Sequence, residues 1–168
     1  LDGLSLTGDR FFYGNPLAST GKHSRKEWFG TACCPSNIAR LIASLGNYIY
    51  GKSGDNIFIN LFVGSQTTIP TSQGNLDLVL KTQYPWNGNI QLTVGAQKNI
   101  TTSIAFRLPG WVNDQAVPGD LYQFMAAAKE RTPIIIQVNG KAVEYTIQNG
   151  YVIVSRTWKN QDLVSYQL

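Results

Sequence analysis

The stretch Gln73-Gly74-Asn75-Leu76-Asp77-Leu78-Val79-Leu80-Lys81-Thr82 opens with turn residues and continues as an alternation of apolar and polar side chains. Successive side chains of a β-strand point to opposite faces, so this alternation is typical of a strand with one buried face. Similar short apolar or alternating runs, bounded by turn residues, cover residues 56–63, 89–94, 101–108, 134–138, 142–147, 151–156 and 163–167. Two Asn-Gly pairs, Asn139-Gly140 and Asn149-Gly150, are typical of hairpin turns. This spacing predicts a jelly-roll-like β-sandwich over residues 51–168.

The composition favours a folded, mainly β chain. Of its 168 residues, 43% are hydrophobic and 14% are charged, and the charged share is below the average of about 25% in soluble proteins. Such a composition argues against disorder caused by self-repulsion. The net charge of +4 comes from scattered Lys and Arg, so no basic run predicts a nucleic-acid partner. No apolar run approaches the roughly 18 residues of a membrane span, so we expect no membrane partner.

The residues before the predicted strands follow a different pattern. Residues 1–36 show no clean period and predict an irregular segment. Ile38, Leu41, Ile42 and Leu45 then recur at the spacing of one helix face, and Gly46 follows as a C-terminal cap. We therefore expect one short helix over residues 36–45. A further helical turn is expected over residues 121–129, where the strand pattern is interrupted.

The two cysteines are adjacent, Cys33-Cys34, and lie just before the predicted helix. A disulfide between neighbouring residues strains the peptide and the S–S geometry, so a cross-link is not expected. A helix N-terminus or a nearby metal would lower a thiol pKa and favour the thiolate. The alternative is that both cysteines are small buried hydrophobic residues. His23 and Glu27 are the other candidate metal ligands in this segment. We expect His23 to be a solvated loop residue rather than a ligand, and Glu27 is similarly ambiguous.

The cysteine segment and several later motifs resemble one known family. The segment from Trp28-Phe29-Gly30 through Cys33-Cys34-Pro35-Ser36-Asn37-Ile38-Ala39-Arg40 is its most specific part. The other matching motifs are Phe11-Phe12-Tyr13-Gly14-Asn15-Pro16-Leu17, Tyr84-Pro85-Trp86-Asn87-Gly88, Arg107-Leu108-Pro109-Gly110-Trp111, Pro118-Gly119-Asp120-Leu121-Tyr122, Val138-Asn139-Gly140-Lys141 and Gly150-Tyr151. Together they resemble the β-L-arabinofuranosidases of glycoside hydrolase family 127.

The resemblance implies a domain organisation and a chemistry. Residues 1–50 would be the C-terminal remnant of an (α/α)6-barrel catalytic domain, and residues 51–168 the β-sandwich that follows it. The family cleaves L-arabinofuranosides of plant glycans with retention, using a zinc-bound cysteine in place of the usual carboxylate nucleophile. Cys33 matches the nucleophile, which is also a zinc ligand, and Cys34 matches a second zinc ligand.

The same resemblance implies that the active site is incomplete within this chain. A further Cys ligand, a Glu ligand and the Glu acid/base of the family lie upstream of the position that matches Leu1. We therefore expect the isolated chain to be inactive, with the upstream helical domain and a carbohydrate substrate as its partners. A hydrolase of plant polysaccharide is expected in the periplasm or outside a bacterial cell.

The four tryptophans separate into two groups. Trp28 lies in the cysteine segment and is the candidate for contact with a sugar, whereas Trp86, Trp111 and Trp158 are expected to pack within the sandwich. A different class of function also fits the sequence. In that alternative the chain is a non-catalytic carbohydrate-binding or structural β-sandwich module with an inert cysteine pair.

Overall fold

The computed structural model describes residues 3–14, 18–30, 33–125 and 133–168. Two helices come first, α1 (Cys33–Ser44) and α2 (Gly46–Ile49). Eleven strands follow: β1 (Tyr50–Ser53), β2 (Asn56–Ile59), β3 (Ser65–Thr71), β4 (Gly74–Thr82), β5 (Asn89–Ala96), β6 (Ile100–Arg107), β7 (Ile135–Val138), β8 (Lys141–Ala142), β9 (Thr146–Gln148), β10 (Tyr151–Trp158) and β11 (Asp162–Gln167). A 3-10 helix spans Gly110–Asn113. The chain divides into two compact units, Leu1–Asn47 and Tyr48–Leu168.

The second unit contains two sheets. One has the strand order β1-β2-β6-β10-β9 and the other has the order β3-β4-β5-β11-β7-β8. Strands β2 and β6 are parallel, while the remaining neighbours pair antiparallel. Buried side chains from both sheets form one apolar cluster. The mainly β class and the sandwich predicted from the sequence are confirmed.

The alternation in the sequence explains which face of each strand is buried. In β4, Leu76, Leu78 and Leu80 lie in the core, whereas the intervening Asp77 is exposed. Strand β6 contributes Ile104 and Phe106 from the other sheet to the same cluster. Burying one such side chain stabilises the fold by about 1.5–3 kcal/mol. A register slip of one residue would turn the leucines of β4 outward, so the apolar layer fixes strand register.

The two Asn-Gly hairpins are where the sequence placed them. Asn139 and Gly140 have φ angles of 52° and 74°, and Asn149 and Gly150 have φ angles of 51° and 75°. Both central residues of a type I′ turn need positive φ, which Asn and Gly tolerate best. The turns join β7 to β8 and β9 to β10, and both strand pairs are antiparallel.

Two of the predicted runs differ from the structure, and strand β3 was missed. Strand β3, Ser65–Thr71, was not predicted because its sequence is largely polar and contains Pro70. It is an edge strand paired only with β4, the position where a strand proline is tolerated. The run 56–63 ends as a strand at Ile59. The run 142–147 is not one strand, because β8 belongs to the six-stranded sheet and β9 to the five-stranded sheet.

The first unit consists of irregular chain and helix α1. Leu4 forms an isolated antiparallel bridge with Phe11, and Phe11 forms another with Lys26. The predicted helix, residues 36–45, exists but covers Cys33–Ser44. The helical turn predicted over residues 121–129 is wrong for residues 121–125, which are not helical. Residues 126–129 lie outside the described part of the chain.

Within the residues that the structure describes, no helix has the length and apolar character needed to cross a membrane.

Two tryptophans provide a matched test of the core. Trp158 is fully buried, with Nε1 donating a hydrogen bond of 3.0 Å to the carbonyl oxygen of Thr102. The expected packing of Trp86 is wrong, because its side chain is 88% exposed. We expect Trp158→Ala to lower the free energy of unfolding by about 3–5 kcal/mol, because it leaves a cavity. Trp86→Ala should change it by less than about 0.5 kcal/mol. Urea unfolding of both variants measures the difference, and equal losses would contradict the assignment of the core.

Candidate active site

Both cysteines lie in the first turn of helix α1, which the structure gives as Cys33–Ser44. The sequence placed the pair just before a helix starting at residue 36, and that start was too late. The error has a local cause, because Pro35 was interpreted as a residue outside the helix. A proline in the first turn costs no hydrogen bond, since the first four N–H groups of a helix have no acceptor within it. Both cysteines are free thiols.

Two side chains of the next turn hold the backbone of Cys33. The carbonyl oxygen of Cys33 accepts hydrogen bonds from Ser36 Oγ at 3.1 Å and from Asn37 Nδ2 at 2.8 Å. Arg40 Nη1 in turn donates to Asn37 Oδ1 at 3.2 Å. Arg40 therefore orients Asn37, and the thiol of Cys33 extends from a backbone that neighbouring side chains fix.

Tyr13 is the residue that the sequence interpretation missed. Its hydroxyl oxygen lies 3.1 Å from Cys33 Sγ, and its ring packs against Phe29 with centroids 5.3 Å apart. The pairing of Phe11 with Lys26 brings the two segments together, because each backbone N–H donates to the other residue's carbonyl at 2.8 Å. The contact could not be deduced from spacing, since twenty residues separate Tyr13 from Cys33.

The electrostatics of the cluster follow from these contacts. The hydrogen bond from Tyr13, with a smaller contribution from Cys34, lowers the pKa of the Cys33 thiol. The same bond to Cys33 raises the pKa of Tyr13 to about 12, because a phenol beside a thiolate loses its proton reluctantly. The hydrogen bond with Cys33, together with desolvation, raises the pKa of Cys34. Cys33 is therefore the thiol that ionises first.

The two thiols also have the spacing of metal ligands. Zinc–sulfur bonds of about 2.3 Å at a tetrahedral angle put two sulfur atoms roughly 3.8 Å apart. The sulfur atoms of Cys33 and Cys34 are 3.5 Å apart, so the pair fits one edge of such a site. No group of three or more His, Cys, Asp or Glu side chains among the described residues could hold a metal. The two thiols would supply two of the four ligands of a tetrahedral zinc site.

The two other candidate ligands have different partners. The ring of His23 stacks on Phe12 with centroids 4.9 Å apart, and its Nε2 lies 3.3 Å from the carbonyl oxygen of Gly14. Glu27 forms an ion pair of 3.2 Å with Arg10 Nη2. Both side chains are exposed. These contacts connect neighbouring segments of the irregular chain in the first unit.

Trp28 was the candidate for contact with a sugar. Its side chain is 59% exposed, so a large aromatic surface is available in the cysteine segment. Aromatic faces stack on the C–H face of sugars through dispersion and hydrophobic contact. A role in substrate binding stays a prediction for this residue.

Comparison with known proteins gives a consistent result for both units. Residues 56–168 match the model of the β-L-arabinofuranosidase GH127 middle domain, and residues 1–47 match the model of the GH127 catalytic domain. The non-reducing end β-L-arabinofuranosidase of Bifidobacterium longum subsp. longum is 30% identical over 166 residues, which cover 89% of this chain and 22% of that protein.

Solved structures show the same similarity. A structure of a GH127 β-arabinofuranosidase superposes with a TM-score of 0.88 at 41% identity, covering 98% of this chain and 26% of the other. A GH127 β-L-arabinofuranosidase from Geobacillus stearothermophilus T6 superposes with a TM-score of 0.78 at 31% identity, covering 98% and 25%. The chain thus spans about a quarter of the length of these relatives.

The Tyr13–Cys33 hydrogen bond predicts how the thiol titrates. Removing the Tyr13 hydroxyl removes a donor that stabilises the thiolate, so Tyr13→Phe should raise the pKa of Cys33. Alkylation of Cys33 by iodoacetamide in the metal-free chain should then be slower near neutral pH and unchanged above both pKa values. The pH–rate profile is measured in a Cys34→Ala background so that one thiol reacts.

Tyr48→Phe is the matched control, because Tyr48 is exposed and lies in helix α2. Its profile should coincide with that of the parent chain. A Tyr13→Phe profile that also coincides with the parent, or that moves to lower pH, would contradict the hydrogen bond's role.

Proposed function

Because this chain belongs to the β-L-arabinofuranosidase family GH127, we propose that it is part of a retaining glycoside hydrolase whose nucleophile is Cys33. The observation that supports this most directly is the position of the Cys33 thiol. It lies at the start of a helix, next to a second thiol and a tyrosine hydroxyl, and its pKa is lowered. The substrate class is L-arabinofuranosides of plant glycans.

The first half-reaction begins with the Cys33 thiolate. Its sulfur attacks the anomeric carbon of the arabinofuranosyl unit and forms an S–C bond, while the bond to the leaving oxygen breaks. A carboxylic acid from the rest of the protein gives that oxygen its proton. Tyr13 orients the sulfur before attack, since its hydroxyl donates to the lone pairs of the thiolate.

The second half-reaction restores the enzyme. A water molecule, deprotonated by the same carboxylate, attacks the anomeric carbon, and the Cys33 thiolate leaves with the electrons of the S–C bond. Two displacements at one carbon give net retention. A thiolate leaves more readily when it is stabilised as an anion, so the groups that lower the pKa of Cys33 serve both halves.

Zinc fits the donor set of this chain. Cys33 and Cys34 would hold the ion, with its remaining ligands supplied by the rest of the protein. A bound zinc ion would keep both thiols deprotonated at neutral pH, where a free thiol with a pKa of about 8.5 is mostly protonated. Cys34 then acts as an anchor that fixes the direction of the neighbouring sulfur.

The domain assignment follows from the same proposal. Residues 1–50 are the end of the helical catalytic domain and residues 51–168 are the sandwich that follows it. The acid/base carboxylate lies upstream, so the isolated chain is inactive. A hydrolase of plant polysaccharide acts where that polymer is accessible, which places the full-length protein in the periplasm or outside a bacterial cell.

The nucleophile is tested with the gene product extended upstream by its helical domain. We expect zinc-dependent hydrolysis of an aryl β-L-arabinofuranoside, with the β-anomer as the first product in a proton NMR time course. Cys33→Ala should lower kcat by at least about a thousandfold, because loss of a nucleophile removes the covalent route. Ser44→Ala, at the far end of the same helix, is the control and should retain the parent rate.

Zinc content tests the role of Cys34 as a zinc ligand. Cys34→Ala should weaken zinc binding by at least about tenfold, because changes to residues that only contact a ligand already cause losses of that size.

Activity that survives in Cys33→Ala would exclude Cys33 as the nucleophile. Hydrolysis by the isolated chain at the rate of the extended protein would contradict the incomplete active site.

A further inference from the structure

A groove lies beside strand β10 in the sandwich unit, far along the chain from the cysteines. It arises because β9 is shorter than β10: pairing between them ends at Ile153 opposite Thr146, whereas β10 continues to Trp158. The segment before β9, residues 143–145, connects to β8 in the other sheet. The groove has a volume of about 520 Å³ and is lined by Val143, Glu144, Tyr145, Thr146, Ile153 and Ser155.

Three of the six lining residues are apolar or aromatic. Val143 packs against the core and Ile153 is half-buried. The side chain of Tyr145 is 39% exposed, so part of its ring remains available to a ligand. These three residues offer a surface suited to the C–H face of a small ring.

The remaining lining residues carry hydrogen-bonding groups. Among the described residues, the Glu144 carboxylate has no hydrogen-bond or ion-pair partner and is exposed. The Thr146 hydroxyl lies on the same segment. The Ser155 hydroxyl is 2.8 Å from that of Ser103 and retains capacity for a further bond. A carboxylate that lines the same groove as two hydroxyls can accept hydrogen bonds from hydroxyl groups of a ligand.

Backbone groups of β10 add to this set. Leu108 N–H donates to the carbonyl oxygen of Gly150, which continues the β6–β10 register by one residue. In an antiparallel ladder the direction of the N–H and C=O groups alternates along the strand. Since those of Gly150 point to β6, those of Ser155 point away from β6, towards the groove beyond the end of β9.

The lining selects among ligand classes. None of the six residues is basic, which disfavours phosphate, nucleic acid and acidic peptides. A peptide that adds a strand to a sheet needs a run of unpaired backbone N–H and C=O groups along the edge. On β10, Tyr151 and Ile153 already pair with β9, and the Thr157 carbonyl lies 3.4 Å from Arg156 Nε. A peptide strand is therefore disfavoured. A sugar needs apolar contact together with several hydrogen bonds, and the lining contains groups of both kinds.

We propose that the groove formed by Val143, Glu144, Tyr145, Thr146, Ile153 and Ser155 binds a neutral oligosaccharide. Its lining residues all belong to the sandwich unit and include neither cysteine, so it would be a second site that holds a glycan chain without cleaving it. Only the choice of L-arabinofuranose units as the sugar rests on the proposed function.

The test is an NMR titration of the chain with a neutral L-arabinofuranose oligosaccharide in the presence of EDTA. We expect saturable shifts confined to the amides of residues 143–146 and 153–155. Glu144→Gln should weaken binding by about tenfold, because it removes charge-assisted hydrogen bonds. Ser155→Tyr, an exposed change that fills the groove, should abolish binding. Asp120→Asn removes an exposed carboxylate elsewhere and should leave the Kd unchanged.

The outcomes separate this proposal from the catalytic one. Binding must persist in Cys33→Ala, since the groove does not involve the thiols. Shifts that map to residues 3–47, binding unaffected by Glu144→Gln and Ser155→Tyr, or saturation by an extended peptide in place of the oligosaccharide would each overturn the proposal. Hydrolysis by the extended protein is a separate measurement. It tests only the proposal that Cys33 is the nucleophile.

Discussion

The apolar layer between the two sheets is the constraint on which residues 48–168 depend. Leu76 and Leu78 from one sheet and Ile104 and Phe106 from the other exclude water from the same cluster, and a shift of one residue in any strand would expose its share. The apolar layer therefore determines the orientation of side chains as well as the stability of the sandwich. It fixes which side chains of β10 face outward, and hence where Ile153 and Ser155 line a groove.

The sequence predicted the fold wherever one physical effect dominated locally. In β4, leucines alternate with other residues because one face of the strand is buried. Asn139-Gly140 forms a turn because both residues tolerate positive φ. Prediction failed where tertiary pairing overrides local pattern. Polar β3 becomes a strand only because β4 offers its edge. The single run 142–147 gave no sign of its crossing between sheets, which takes place over residues 143–145 and creates the groove.

The candidate active site shows the same division. Adjacent cysteines before an amphipathic run left two interpretations open from sequence alone, reactive thiols or small buried hydrophobic residues. The roles proposed for Cys33 and Cys34 come from family resemblance. The start of the helix was predicted too late because Pro35 was interpreted as a residue before the helix. Proline is in fact tolerated in the first turn, where its missing N–H costs no hydrogen bond. Tyr13 was beyond prediction for a different reason. Its contact with Cys33 depends on the long-range pairing of Phe11 with Lys26, which leaves no periodic signature in the sequence.

The position of β11 bears on how the sandwich is made. This strand lies between β5 and β7 and places Gln167 opposite Asn89, so the six-stranded sheet stays split until β11 has been synthesised. Pairings between residues so far apart in sequence slow folding. On the ribosome, β3, β4 and β5 would emerge with an uncovered apolar face and an open edge. During this interval the nascent chain is more exposed to aggregation than the finished sandwich is.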